Sequence, residues 1–71
     1  MSEMLKVVEI LAESNKSWED AAQNAVNRAA ETLKGIKSIY IQNFEAAVSG
    51  DHITKYRINA KISFVLEKKS K

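Results

Sequence analysis

Over residues 52–66 the chain alternates with a period of two. Tyr56, Ile58, Ala60, Ile62 and Phe64 fall on one side, while Lys55, Arg57, Asn59, Lys61 and Ser63 fall on the other. Strict alternation of this kind predicts a β-strand with one buried face. The preceding run, "IKSIYIQNFEAAV" at 36–48, is rich in β-branched and aromatic residues and predicts a second long strand. "SGDH" at 49–52 supplies the turn between them.

The first half of the chain changes period. Residues 4–12, "MLKVVEILA", form a short apolar run that predicts a strand, and "ESNKS" at 13–17 is polar and turn-like. Ser17 is placed as an N-cap, with Trp18, Glu19 and Asp20 after it. The acid at the third helical position favours the exposed amides and the helix dipole. From 18 to 34 there is no Pro or Gly, and Ala22, Ala25, Val26, Ala29 and Leu33 recur at three- and four-residue spacing. That predicts an amphipathic helix with a shallow apolar face, ended by Gly35 at the C′ position. The expected order is β-α-β-β, an α+β chain.

Dimensions add a constraint. Thirteen strand residues span roughly 43 Å, whereas seventeen helical residues span about 26 Å. One helix does not cover strands of that length. The expectation is that another copy of the chain covers the remainder.

Composition sharpens this picture. A chain of 71 residues is one domain at a size where a single core rarely supplies more than about 3–5 kcal/mol. It has no cysteine and one histidine, His52, so disulfides and thiolate or His-rich zinc sites within one chain are excluded as staples. Oligomerisation remains. The net charge of +2 lies largely in the C-terminal tail, where Lys68, Lys69 and Lys71 crowd the last four residues. Without 68–71 the balance is about −1, which disfavours a nucleic-acid-binding reading, and the tail is expected to be disordered. Residues 1–6 carry no long apolar core after their charges, and no run approaches the roughly 20 apolar residues of a membrane span. A soluble, cytoplasmic protein is expected.

Length, element order and two segments together resemble the dodecins. "SWEDAAQNAVNRAAETLKGI" is similar to the family's Ser-containing turn and alanine-rich helix, and "ITKYRINAKISFVLE" to its final strand. The resemblance implies a single domain over 1–71 in which a three-stranded antiparallel sheet partly wraps one helix. It also implies a hollow homododecameric shell, a non-enzymatic role in binding or storing a small ligand, and a flavin (FMN or riboflavin) as the family's cofactor. Flavin-binding members stack the ring between tryptophans near the start of the second strand and bond its edge through a glutamine on the third. Ser38 stands at the first position and Arg57 at the second, so the resemblance implies a weakened or altered flavin site. Tyr40, two residues beyond Ser38 on the same face, offers a stacking surface or a cross-strand contact at a subunit interface. "SWE" further resembles a subgroup lacking the flavin tryptophan, in which calcium is the ligand.

Other candidates have two readings each. Trp18 is a ligand platform or packs over a strand end or a neighbouring copy. Glu13, Glu19, Asp20 and Asp51 are carboxylates available to calcium between subunits, but no spacing matches an EF-hand loop, and acids at a helix start also serve as caps. Arg57, Asn59 and Lys61 share a face and either hold an anion or pair with Glu45 and other acids across strands or subunits. His52 beside Asp51 sits in a turn, where local hydrogen bonding accounts for both. No P-loop, dinucleotide fingerprint or zinc spacing is present, so an enzyme reading has no residues to carry it. Two classes remain: a small-ligand-binding dodecin-like shell, and a purely structural shell or interaction module without flavin.

Overall fold

The computed structural model describes residues 4–66. The elements are β1 (Leu5–Ser14), α1 (Trp18–Ala30), β2 (Ile36–Ser49) and β3 (His52–Val65). They form one antiparallel sheet of order β1-β3-β2, with β3 central. The expected β-α-β-β arrangement with a three-stranded antiparallel sheet is the one observed. The basic segment 68–71 lies outside the described residues.

The alternation along β3 decides which face meets the helix. Ile58, Ala60 and Ile62 are buried, and Ala21 and Ala25 of α1 are the buried residues on the helix side. Ile10, Ala12, Ile39, Ile41, Ala22 and Trp18 pack around this centre. Alanines at the contact let the helix lie close to the sheet, but each buries little apolar area. The contact face is centred on Ala21 and Ala25. Of the residues assigned to it from the spacing, Ala25 is buried, whereas Ala22, Val26, Ala29 and Leu33 lie part-buried on its flanks.

Two boundaries move by two residues or more. β1 reaches Ser14 instead of ending at residue 12, because Glu13 and Ser14 pair in register with Arg57 and Tyr56. The helix ends at Ala30, not at residue 34. There the amides of Glu31 and Thr32 bond three residues back, to Arg28 and Ala29 carbonyls, and tighten the last turn. Gly35 still supplies the left-handed residue (φ 73°), but it serves to start β2, where its carbonyl accepts from the Val65 amide. The helix start is as expected: Ser17 Oγ accepts from the Asp20 amide at 2.9 Å. At the hairpin, Ser49 pairs with His52 across Gly50 (φ 63°) and Asp51. A positive φ at the first central position alone fits the type II′ turn that matches strand twist.

The sheet outruns its cover. Fourteen residues in each of β2 and β3 reach roughly 46 Å, against about 20 Å for the thirteen residues of α1. The longest dimension of the chain is 58 Å and the others are 20 and 13 Å.

Candidate functional site

The face of the sheet turned away from the helix carries the polar half of the alternation. Register places Ser38 opposite Ser63, Tyr40 opposite Lys61, Asn43 opposite Asn59 and Glu45 opposite Arg57, all on this face. A bulge between Ile41 and Asn43 inserts Gln42 and keeps the two halves of β2 in phase with β3. Ser38 and Ser63 share a hydroxyl–hydroxyl hydrogen bond of 2.7 Å. Tyr40 stands beside them, exposed.

Arg57 lies elsewhere on the same face. Six register positions separate it from Ser63, the partner of Ser38, roughly 20 Å along the strand. Tyr40 is nearer, at four positions or about 13 Å. Ser38 and Tyr40 are therefore brought together, and Arg57 is not part of their cluster within one chain. A single planar ring touching both ends would need two chains.

Arg57 is held by acids from both neighbouring strands. Its Nε donates to Glu13 Oε2 of β1 at 2.8 Å, and its Nη1 lies 3.4 Å from Glu45 Oε1 of β2. Lys55 Nζ approaches the other Glu13 oxygen at 3.7 Å. The Arg57 hydrogen bond is the main cause that holds the Glu13 carboxyl below its ordinary range. Partial desolvation opposes it, and the charges of Arg57 and Lys55 add to it. Hydrogen bonds to Glu13 and then Glu45 raise Arg57. This is the ion-pair reading of Arg57, with Glu45 as expected. Glu13 as its principal partner was not read from the sequence: the two residues are 44 positions apart, and only the β1–β3 register joins them. Between these clusters lies Asn59, whose Oδ1 is buried without a hydrogen-bond partner.

Trp18 belongs to the opposite face and packs there. Its Nε1 donates to the Glu45 carbonyl at 3.0 Å, and its ring meets Tyr56 and Phe44 edge-on, at 4.9 and 5.7 Å between centroids. It pins the helix start to the sheet, the packing alternative of its two readings. A small apolar cavity of about 210 Å³ opens beside it, lined by Trp18, Glu19, Ala22, Ile41 and Phe44. Of the acids near the helix start, Asp20 is bonded into the fold: its Oδ2 accepts from Ser14 Oγ at 2.6 Å and from Asn24 Nδ2 at 3.2 Å. Asp51 and His52 face each other at 3.4 Å on the exposed hairpin tip. Among the described residues no three His, Cys, Asp or Glu side chains gather as a metal site, and no helix is long and apolar enough to cross a membrane.

This strand order and wrapped helix match known proteins throughout. The dodecin family model covers residues 4–67. The chain belongs to the dodecin family. Calcium dodecin of Mycobacterium tuberculosis is 36% identical over 59 residues, 83% of each chain. The crystal structure of that calcium-chelating protein, described with a novel calcium-binding site, superposes with a TM-score of 0.78 at 32% identity, covering 96% of this chain and 97% of that one. A point variant of the Thermus thermophilus dodecin superposes at 0.90 with 24% identity, covering 96% of this chain and all of the other. The last likeness speaks for the fold alone.

Proposed function

We propose that this dodecin is a non-enzymatic, cytoplasmic, single-domain subunit of a hollow homododecameric shell that binds a small ligand between subunits, with an altered flavin site. The observation that carries this reading is the mismatch between a sheet of about 46 Å and a helix of about 20 Å in a chain of the dodecin family, which leaves sheet for further copies to cover.

The residues present do not rebuild a stacked flavin site. Ser38 offers a hydroxyl already bonded to Ser63 in place of an aromatic surface. Arg57 is engaged by Glu13 and Glu45, whose carboxylates compete with a ring edge for its donors. Among the described residues Tyr40 is the one exposed aromatic on that face left to stack, so flavin binding is weak. A second reading, calcium held between subunits of a shell without flavin, draws on the name and identity of the mycobacterial relative. Its ligands would have to come from more than one chain, since no cluster forms within one.

Light scattering should give a particle near twelve chain masses; a monomer stable to dilution would refute the shell. Flavin, titrated by its fluorescence quenching, should bind at least ten-fold more weakly than to a variant carrying Ser38→Trp plus Arg57→Gln, a difference of about 1.4 kcal/mol. Tight quenching by the wild type, with no gain in the double variant, would remove Ser38 and Arg57 from the site. Calorimetric titration with calcium separates the second reading, which predicts saturable heat from the assembled particle.

A further inference from the structure

The cavity beside Trp18 joins aromatic walls to an unpaired charge. Its volume of about 210 Å³ exceeds the roughly 150 Å³ of an apolar cavity that takes benzene. It falls below the about 300 Å³ at which drug-sized pockets begin. It has room for one six-membered ring with a short arm and little more. Trp18 and Phe44 meet beside it at 79°, so a flat guest lying against one ring presents its edge to the other, and both arrangements are favoured. Ala22 and Ile41 supply the remaining apolar wall.

The polar side of the cavity accepts and does not donate. Glu19 is the only ionisable residue lining it, and no lysine or arginine does so. Among the described residues its carboxylate takes part in no hydrogen bond or ion pair, unlike that of Asp20 next to it. An ionised carboxylate only accepts. The Trp18 Nε1 hydrogen is already given to the Glu45 carbonyl. A guest that completes this site therefore brings the donor and the positive charge itself. The helix start sets about half a positive charge against such a guest, but Glu19 and Asp20 bring two full negative charges to the same turn. A cation held over the face of Trp18 or Phe44 gains further from the ring quadrupole.

We propose that this cavity binds a small aromatic ammonium, its ring against Trp18 and Phe44 and its charged arm on the Glu19 carboxylate. The site lies across the sheet from Ser38, Tyr40 and Arg57, so it does not rest on the flavin reading, and all of its lining comes from one chain.

Trp18 is the only tryptophan in the chain, so its emission reports on this cavity. Three probes of nearly one shape are titrated into the full chain in its native assembly: benzylammonium, neutral benzyl alcohol and benzoate. A saturable change is expected, with benzylammonium about five-fold tighter than the alcohol, the scale of one exposed ion pair with a cation–π contact. Benzoate should be weakest. Glu19→Gln should bring the ammonium down to the alcohol and leave the alcohol unchanged. Ala22→Leu, which fills the cavity, should abolish the response to both with the far-ultraviolet circular dichroism kept. Glu19 is exposed, so its variant carries the test if Ala22→Leu does not fold. Equal affinity for ammonium and alcohol, or a preference that survives Glu19→Gln, would overturn the role of the charge. Emission unmoved by all three probes would overturn the site, and is the result if a side chain of a neighbouring copy fills the cavity.

Discussion

Ile58 is the residue on which the packing argument can be tested most severely. It is 1% exposed, central on β3, and surrounded by Ala21 of the helix and Ala60 of its own strand. Ile58→Ala removes three carbons from a fully buried side chain, about 2.4 kcal/mol of transfer free energy at roughly 0.8 per methylene. The hole then has to close or stay open. The buried alanines beside it end at Cβ and have no length to reach into the space, the larger flanking side chains, Ile41 and Trp18 among them, are already packed on the same centre, and the sheet's hydrogen-bonded register resists a backbone shift. The cost is therefore expected in the upper half of the 2–5 kcal/mol range for such truncations. A chain of this size has about 4–11 kcal/mol in all at typical values per residue, so one substitution removes a large share. Ile58→Val, which removes a single methyl, should cost about 0.5–1.5 kcal/mol.

Urea denaturation followed by far-ultraviolet circular dichroism measures both. The series has to be run at several protein concentrations, because any contribution from assembly makes the midpoint concentration-dependent. The difference between variants at a fixed concentration is the quantity of interest. If Ile58→Ala lies within about 1 kcal/mol of the wild type, the buried centre is not where the alternation and the helix contact place it.

Two other outcomes follow from the same geometry. Ala25→Leu should over-pack the helix–sheet contact by about 1–3 kcal/mol, and Ala29→Leu, part-buried on its flank, should cost clearly less; equal costs in chemical denaturation would show that the face is centred elsewhere. Glu13, whose carboxyl is depressed mainly by the Arg57 hydrogen bond, contributes stability that is present above its unfolded value of about 4.3 and is lost as pH falls through its lower folded value. The gap in urea midpoint between wild type and Glu13→Gln should accordingly narrow below about pH 4, whereas parallel curves down to pH 3 would show that the pair contributes nothing.

The elements were legible because each carries a local signal that tertiary structure did not override. Ile58, Ala60 and Ile62 announce a buried face by alternation alone, and Ser17 announces the helix start by its side-chain oxygen. The helix end was less legible. Lys34 and Gly35 are a strong local stop, yet the α-helical run ends at Ala30, and the left-handed glycine belongs to the entry of β2. The helix face slipped for a related reason. In a run as alanine-rich as 21–30, several alanine stripes fit the helical period, and which one is buried depends on where the sheet lies. Ala21 was missed because nothing local separates it from Ala22.

The polar face was legible as a face and not as a set of partners. Alternation groups Arg57, Asn59 and Lys61, but it does not say that Glu13, forty-four residues earlier, lies on β1 directly opposite Arg57. That one pairing changes the chemistry. An arginine alone on an exposed sheet is an anion site; an arginine bonded to Glu13 on one side and facing Glu45 on the other is a clasp across all three strands. Its charge is already answered, so a phosphate or a ring carbonyl competes there with two carboxylates, and a charge-assisted hydrogen bond is among the stronger ones to break. Replacing Arg57 by glutamine would consequently do two things at once. It would restore a neutral bonding group at that position, and it would leave Glu13 and Glu45 facing each other across the central strand with only Lys55 beside Glu13. The flavin experiment therefore needs Arg57→Gln alone beside the double variant. Weakened stability in both, with flavin gained in the one that carries Ser38→Trp, would separate the clasp from the ligand site.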